Sequence, residues 1–345
     1  MVDFWKSEQL VICRDEGVGL RAAIAVDDTT RGPGLGGIRM RAYPSDGDAI
    51  VEAQRLAAAM TLKNAFAELP FGGAKSVILA PDPGVDRSEL MRRFGEFIGR
   101  TGGAYLPGVD MGTSPADLAL IADTGTEVSC SDEDPSPWTA LGVACAVKAA
   151  VEQVDRRSGI EGISVVIQGA GHVGAALARD LSSAGAHVSL ADVDGDRAAA
   201  VAEAVGGRVV HAEDALIAPC DVFAPCAVAR VVSQTSIPRL QCRIIAGAAN
   251  DTLADPADAD GLAARGITYV PDFVVNAGGV IHIHAVRSAY DEERLRAEVE
   301  RIGDRVHCLL ADSDRVGITP CALAEHIARA TVENARAGEF TGVGA

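Results

Sequence analysis

Val165-Val-Ile-Gln-Gly-Ala-Gly-His-Val-Gly174, continued by a helix-forming run to Ala184 and by His187-Val-Ser-Leu-Ala-Asp192, is the stretch that decides the fold. Val165 to Ile167 is a short apolar run of the kind that forms a buried strand, and Ala175 to Ala184 carries helical periodicity. Between them Gly169, Gly171 and Gly174 keep the spacing G-x-G-x-x-G. Glycines at those places let the backbone approach a pyrophosphate at the positive end of the helix that follows. The next strand ends at Asp192, 18 positions past the last glycine. A carboxylate there accepts hydrogen bonds from an adenosine ribose and repels a 2′-phosphate, which selects NAD over NADP. A bare glycine motif can be a structural turn. Strand, helix and acid together make this one a dinucleotide site, with His172 and Val173 inside it.

Downstream, strands are expected at Asp221–Ala224, Arg243–Ala246 and Thr268–Val270, alternating with helices as in a parallel α/β sheet. Ligands of such sheets lie beyond the carboxyl ends of the strands. That puts Pro225, Cys226, Ala227, Ala248, Asn250 and the turn Asn276-Ala-Gly-Gly279 at the cofactor. Upstream, the polar segment 129–138 reads as a linker, followed by a helix over Thr139–Val154. The chain is therefore expected to be α/β with two domains and its active site in the cleft between them. The Rossmann-type dinucleotide domain would cover 136–319. Residues 1–135 with 320–345 would form a substrate-binding and oligomerisation domain.

In the N-terminal part, 9–43 reads as paired strands, with 9–26 as a hairpin around Asp15-Glu16-Gly17 and Arg31-Gly-Pro-Gly-Leu-Gly-Gly37 as a glycine-rich loop. Ser45-Asp-Gly-Asp48 opens a helix that runs to about Leu69 and stops at Pro70. A Phe-Gly-Gly-Ala turn delivers Lys75 to a strand over Ser76–Leu79. A helix follows over Asp86–Gly102, and a strand over Tyr105–Val109 delivers Asp110. Ser114, Pro115 and Asp117 form a capping box for the next helix.

Lys63 and Lys75 stand twelve positions apart in apolar sequence with only Glu68 charged between them. Lysines crowded in such surroundings lose proton affinity and suit carboxylate binding plus acid/base work. The plain alternative is two surface lysines flanking a turn. Asp110 likewise is either functional or a turn aspartate that bonds its own backbone.

The composition narrows the partners. Of 345 residues 48% are apolar, and 31 basic against 48 acidic side chains leave a net charge of −17. Such a surface repels a phosphate backbone, so nucleic acid is excluded as a partner. No apolar run approaches the length of a membrane span, and the N-terminus lacks a signal-peptide pattern. Eight scattered cysteines without a C-x-x-C pair fit a reduced, cytoplasmic protein. His282 and His284, one residue apart, would share a face on a strand. No acid or cysteine lies near them in sequence, so no metal site is expected.

Several segments together resemble the NAD-dependent amino acid dehydrogenases of the leucine, phenylalanine and valine group, relatives of glutamate dehydrogenase. They are GPGLGGIRM, AMTLKNAFAELPFGGAKSVI, VDMGTSPADL, VIQGAGHVG, CDVFAPCA, IAGAAND and YVPDFVVNAGGVIHI. The order and spacing are those of the family, over nearly the whole chain. The resemblance implies reversible oxidative deamination of an L-amino acid to its 2-oxo acid and ammonia. It assigns the substrate carboxylate to Lys63, the acid/base role to Lys75, its acidic partner to Asp110, substrate holding to Asn276 and the nicotinamide amide to Thr139. It also implies a homo-oligomer, from dimer to octamer.

GGAK stands where this group more often has GGGK, DMGT replaces DVGT, and His282 replaces an asparagine of leucine dehydrogenase. For the side-chain pocket, Leu35 beside Gly36 resembles the leucine type, while Gly108 leaves room for something larger. A branched aliphatic substrate is favoured. A family member specialised for an aromatic or unusual amino acid and a catalytically silent NAD-binding homologue are the alternatives.

Overall fold

The computed structural model describes residues 4–129 and 134–338 and divides into two compact units. Among the described residues, one comprises 4–129 with 327–338 and the other 134–326.

In the first unit, β1 (Gln9–Asp15) and β2 (Leu20–Asp28) form an antiparallel hairpin, turned by one 3-10 turn and by Gly19 at φ 65°. There follow β3 (Gly34–Arg41), α1 (Asp46–Phe66), β4 (Gly72–Leu79), α2 (Arg87–Gly99), β5 (Tyr105–Val109) and α3 (Pro115–Ala122). The sheet runs β1-β2-β4-β3-β5, with β3 parallel to both β4 and β5. On one face Ile24, Ile38 and Ile78 pack with Leu90 and Phe94 of α2 and Leu118 and Ile121 of α3. On the other, Ala23, Ala25 and Val77 meet Ala49, Ala53 and Ala57 of α1. Each such methyl contributes only about 0.8 kcal/mol of burial. Its value lies in letting α1 settle close to β4.

Two local expectations need correcting. The glycine-rich segment is no loop: Leu35, Gly36 and Gly37 belong to β3. Nor is Phe-Gly-Gly-Ala a free turn before Lys75, because β4 begins at Gly72 and Lys75 pairs with Ala25 inside the sheet. Helix α1 also stops earlier than Pro70 requires. Glu68 takes a left-handed φ of 60° and its N–H caps the Ala65 carbonyl.

The second unit opens with α4 (Ser136–Asp155), β6 (Ser164–Gln168), α5 (His172–Ser183), β7 (His187–Ala191), α6 (Gly195–Val205) and β8 (Arg208–Val209). Then come β9 (Val222–Pro225), β10 (Ile244–Ile245), α7 (Asp258–Ala264), β11 (Thr268–Tyr269), α8 (Asp272–Val275), α9 (Gly278–Arg287) and α10 (Glu292–Val316). Helix α11 (Pro320–Arg336) follows, and its Arg336 pairs with Asp28 at 2.5 Å. The sheet order β11-β10-β9-β6-β7-β8 is parallel throughout. Counted from β6, this is the doubly wound order 3-2-1-4-5-6, whose switch point lies between β6 and β9. Helix α5 starts at His172, three residues ahead of the expected Ala175. His282 and His284 lie on α9, so the shared strand face does not exist.

Candidate active site

The strand β4 carries Lys75 against the end of β5, where Asp110 follows Val109. Lys75 Nζ lies 2.7 Å from Asp110 Oδ2, and the two side chains are 9% and 18% exposed. The same carboxylate oxygen accepts from Arg39 Nε at 3.0 Å. Arg39 in turn donates Nη1 to Glu52 Oε1 of α1 at 2.9 Å, and Arg55 Nη2 donates to Glu52 Oε2 at 2.9 Å. Burial alone would raise the Asp110 carboxyl. Lys75 and Arg39 outweigh it and hold the group well below the usual carboxylate range. Glu52 is treated alike, with burial opposed by Arg55 and Arg39 and the net shift downward.

The turn after β5 is tied down. Asp110 N–H donates to Thr113 Oγ1 at 3.0 Å, and that hydroxyl donates to the Ile38 carbonyl at 2.7 Å. Tyr105 Oη sits 2.9 Å from Ser76 Oγ and donates to the Gly37 carbonyl at 3.3 Å, tying β5 to β3 and to the residue of β4 next to Lys75. The glycines are there for contact. A Cβ on Gly37 would stand 3.2 Å from Lys75 Nζ and 2.7 Å from Asp110 Cβ. One on Gly73 would meet Thr61 N at 2.2 Å, so α1 rests directly on the start of β4. Asn64 Nδ2 adds a bond to the Gly72 carbonyl at 2.6 Å, and its neighbour Lys63 is buried in the last turn of α1.

The residues expected around a side-chain pocket are placed differently from one another. Leu35 is 1% exposed within β3, between Gly73 of β4 and Leu106 of β5. A Cβ on Gly36 would stand 1.7 Å from the Ala74 carbonyl, which explains that glycine by strand packing. Beside Gly108 the Ser129 hydroxyl occupies the space, 2.9 Å from where a Cβ would be. The room read into Gly108 is filled from within the unit.

In the second unit the glycine turn joins β6 to α5. Gly169 takes φ 108°, and a Cβ there would meet Ala227 Cβ at 2.6 Å. Gly174 lets α5 approach, since its Cβ would stand 1.9 Å from the Gly169 carbonyl. Gly171 caps α5 without a side-chain hydrogen bond, and around it a Cβ would meet nothing within 4 Å. An open helix N-terminus with undirected N–H groups fits a pyrophosphate. Asp192 Oδ2 accepts from Ala170 N–H at 2.7 Å, and Oδ1 accepts from Arg197 Nη2 at 2.6 Å. Despite burial, these partners lower the Asp192 carboxyl to about 2. Cys226 N–H donates to the Gln168 carbonyl at 2.7 Å, which sets Pro225, Cys226 and Ala227 beside the loop. His172 is exposed, with Nδ1 3.3 Å from Asp134 Oδ2.

Asn276 joins two others of the expected residues. Its Nδ2 donates to the Ala248 carbonyl at 3.0 Å and to Asn250 Oδ1 at 2.9 Å, while its buried Oδ1 has no hydrogen-bond partner. The turn behind it packs on the first turn of α4. A Cβ on Gly278 would meet the Trp138 carbonyl at 2.1 Å, and one on Gly279 would meet Thr139 Oγ1 at 3.0 Å.

Comparison with known proteins places this arrangement. Residues 8–127 match the Glu/Leu/Phe/Val dehydrogenase dimerisation domain, and residues 195–308 match the glutamate/leucine/phenylalanine/valine dehydrogenase domain. The chain belongs to this family. It is 39% identical to leucine dehydrogenase of Geobacillus stearothermophilus, over 95% of this chain and 91% of that one. It is 36% identical to valine dehydrogenase of Streptomyces coelicolor, over 95% and 93%. The crystal structure of L-tryptophan dehydrogenase from Nostoc punctiforme superposes with a TM-score of 0.81 at 34% identity, covering 96% of this chain and 97% of that one. The chain is thus an amino acid dehydrogenase, and its family implies a nicotinamide cofactor.

In this dehydrogenase Arg39 and Gly37 are the residues that sequence reasoning passed over. Arg39 is the buried charge of β3, whose other arginine, Arg41, is exposed at the strand's end, and a charge amid Ile38 and Met40 is a signal in itself. Among the described residues, seven cysteines are free thiols, no group of three or more His, Cys, Asp or Glu side chains is placed to hold a metal, and no helix is long and apolar enough to cross a membrane.

Proposed function

We propose that the protein catalyses the reversible NAD-dependent oxidative deamination of an apolar L-amino acid, branched aliphatic by preference, to its 2-oxo acid and ammonia. The observation that carries this reading is the buried Lys75–Asp110 pair at 2.7 Å. A buried lysine against a fixed carboxylate suits proton transfer, and a buried ion pair is more costly than an apolar pair as a device for stability alone.

In this reading Lys63 binds the substrate carboxylate, and Asn276 holds the substrate through its unpartnered Oδ1. Lys75 takes the proton from the α-amine. Bound NAD would accept the hydride from the α-carbon. Lys75 then assists water as it adds to the imine, and ammonia leaves. Asp110 keeps the lysine in place through these steps. Gly169, Gly171, His172, Val173 and Gly174 take the pyrophosphate, and Asp192 takes the adenosine ribose. Thr139, Pro225, Cys226, Ala227, Ala248 and Asn250 line the rest of the cofactor. The first unit serves for substrate binding and for assembly into a homo-oligomer, as the dimerisation-domain match suggests. Seven free thiols among the described residues support a cytoplasmic setting.

A second reading, an aromatic substrate, is favoured by the likeness to L-tryptophan dehydrogenase. One assay separates these ideas: NADH consumption with 2-oxo acids matching valine, leucine, phenylalanine and tryptophan, with and without ammonia. Ammonia-dependent turnover is expected, fastest with the branched acids. Turnover that ignores ammonia would sink the proposal, and a preference for the indole acid would favour the second reading.

A further inference from the structure

Arg39 touches nothing that reacts, yet it is 8% exposed in the core of the first unit. Burying a guanidinium is unfavourable, and an apolar side chain there would serve stability at least as well. Its placement is specific. Asp110 Oδ2 accepts from Lys75 Nζ at 2.7 Å and from Arg39 Nε at 3.0 Å, so two cations share one carboxylate oxygen. Glu52 holds Arg39 from behind and is itself held by Arg55.

A lysine that works as an acid and a base alternates between its charged and neutral forms. Whenever Lys75 is neutral, Asp110 would be a buried carboxylate with no counter-charge, a costly state that would resist the proton's departure. Arginine stays charged at every working pH. Resting on the function proposed above, we propose that Arg39 is a positioning residue that acts as the standing counter-ion of Asp110, so that Lys75 can lose and regain its proton without leaving that carboxylate unpaired. Among the described residues, Tyr105 from β5 and Tyr43 after β3 also feel the Asp110 charge, and behind Arg39 stand Glu52 and Arg55 from α1. Burial pushes both tyrosine hydroxyls upward, so they stay neutral through the assay range.

The test uses the full chain and follows deamination against pH for wild type, Arg39→Met and Arg39→Lys. Arg39→Met should lower kcat on the order of 10²-fold, with KM for the amino acid changed by less than about threefold. The pH of half-maximal kcat should rise by roughly one unit, since the full charge of Asp110 then faces Lys75. Arg39→Lys should return that midpoint close to the wild-type value. Wild-type kcat and midpoint in Arg39→Met would overturn the proposal, and so would a midpoint in Arg39→Lys as displaced as in Arg39→Met. If Arg39→Met does not fold, Asp110→Asn alone and combined with Arg39→Met decide it. A neutral residue 110 needs no counter-ion, so the double variant should match the single one in kcat. A further loss of about tenfold or more in the double variant would overturn the idea. Absence of ammonia-dependent turnover in wild type would be the separate failure of the functional reading, and this inference would fall with it.

Discussion

The Nζ of Lys75 lies 3.2 Å from the point where a Cβ on Gly37 would stand, and the Val109 carbonyl lies 2.7 Å from that point. Any side chain at 37 must displace the Lys75 ammonium or the backbone before Asp110. Gly37→Ala should therefore cost about 1–3 kcal/mol by overpacking. It should also lower kcat on the order of 10²-fold through misplacement of the lysine. Urea denaturation and initial rates measure the two effects, and a variant with wild-type kcat would contradict the close approach.

Lys75→Ala should abolish amino acid turnover and leave NAD binding to the second unit nearly intact. The affinity can be read by the change in NADH fluorescence. A large loss of NAD affinity would show that the lysine had been given the wrong role.

Asp192 is held on one oxygen by Ala170 N–H and on the other by Arg197. Asp192→Ala removes the ribose acceptor and frees that guanidinium at once. NAD should bind roughly tenfold more weakly or worse, given what hydrogen bonds to a charged group contribute. NADP should gain, because a free arginine suits a 2′-phosphate. The ratio of kcat/KM for the two cofactors tests this, and an unchanged ratio would count against Asp192 at the ribose.

Acid should weaken the protein in a defined window. The Asp110 carboxyl is held well below its usual range and that of Asp192 at about 2, so both folded values lie below the unfolded ones. Their stabilisation is fully present above the unfolded value near pH 4 and is lost as pH falls toward the folded values. Melting temperature should stay level from pH 7 to about 5 and fall steeply below about 4. Asp110→Asn should start lower at neutral pH and lose less on acidification. An equally steep fall in the variant would remove Asp110 from the account.

The nucleotide-binding half was legible because its signals are local: an apolar run, a glycine turn, a helix, an acid. Strands β10 and β11 fall within the runs expected at 243–246 and 268–270, whereas the two-residue β8 is set by pairing with β7 and leaves no periodicity to read. The glycine-rich start of β3 reads as a loop for a different reason. Three of its first four residues are glycine, which argues against a strand on propensity, and only close approach to β4 explains them. Helix α9 has no assignment from sequence, where His-Ile-His alternates like a strand while Val280, Ile281 and Ala285 are buried at helical spacing. Arg39 escaped notice because its partners stand 13 and 71 positions away. Charge pairing over such distances has no sequence period.

The glycines of β3 and β4 also bear on how such a chain can change over generations. At positions 34, 36, 37, 72 and 73 a Cβ would run into backbone or neighbouring side-chain atoms. Those positions are closed to drift by shape, whatever amino acid the enzyme accepts. A lineage that acquired a different substrate would have to do so with residues elsewhere, keeping this packed pair of strands constant while their surroundings vary.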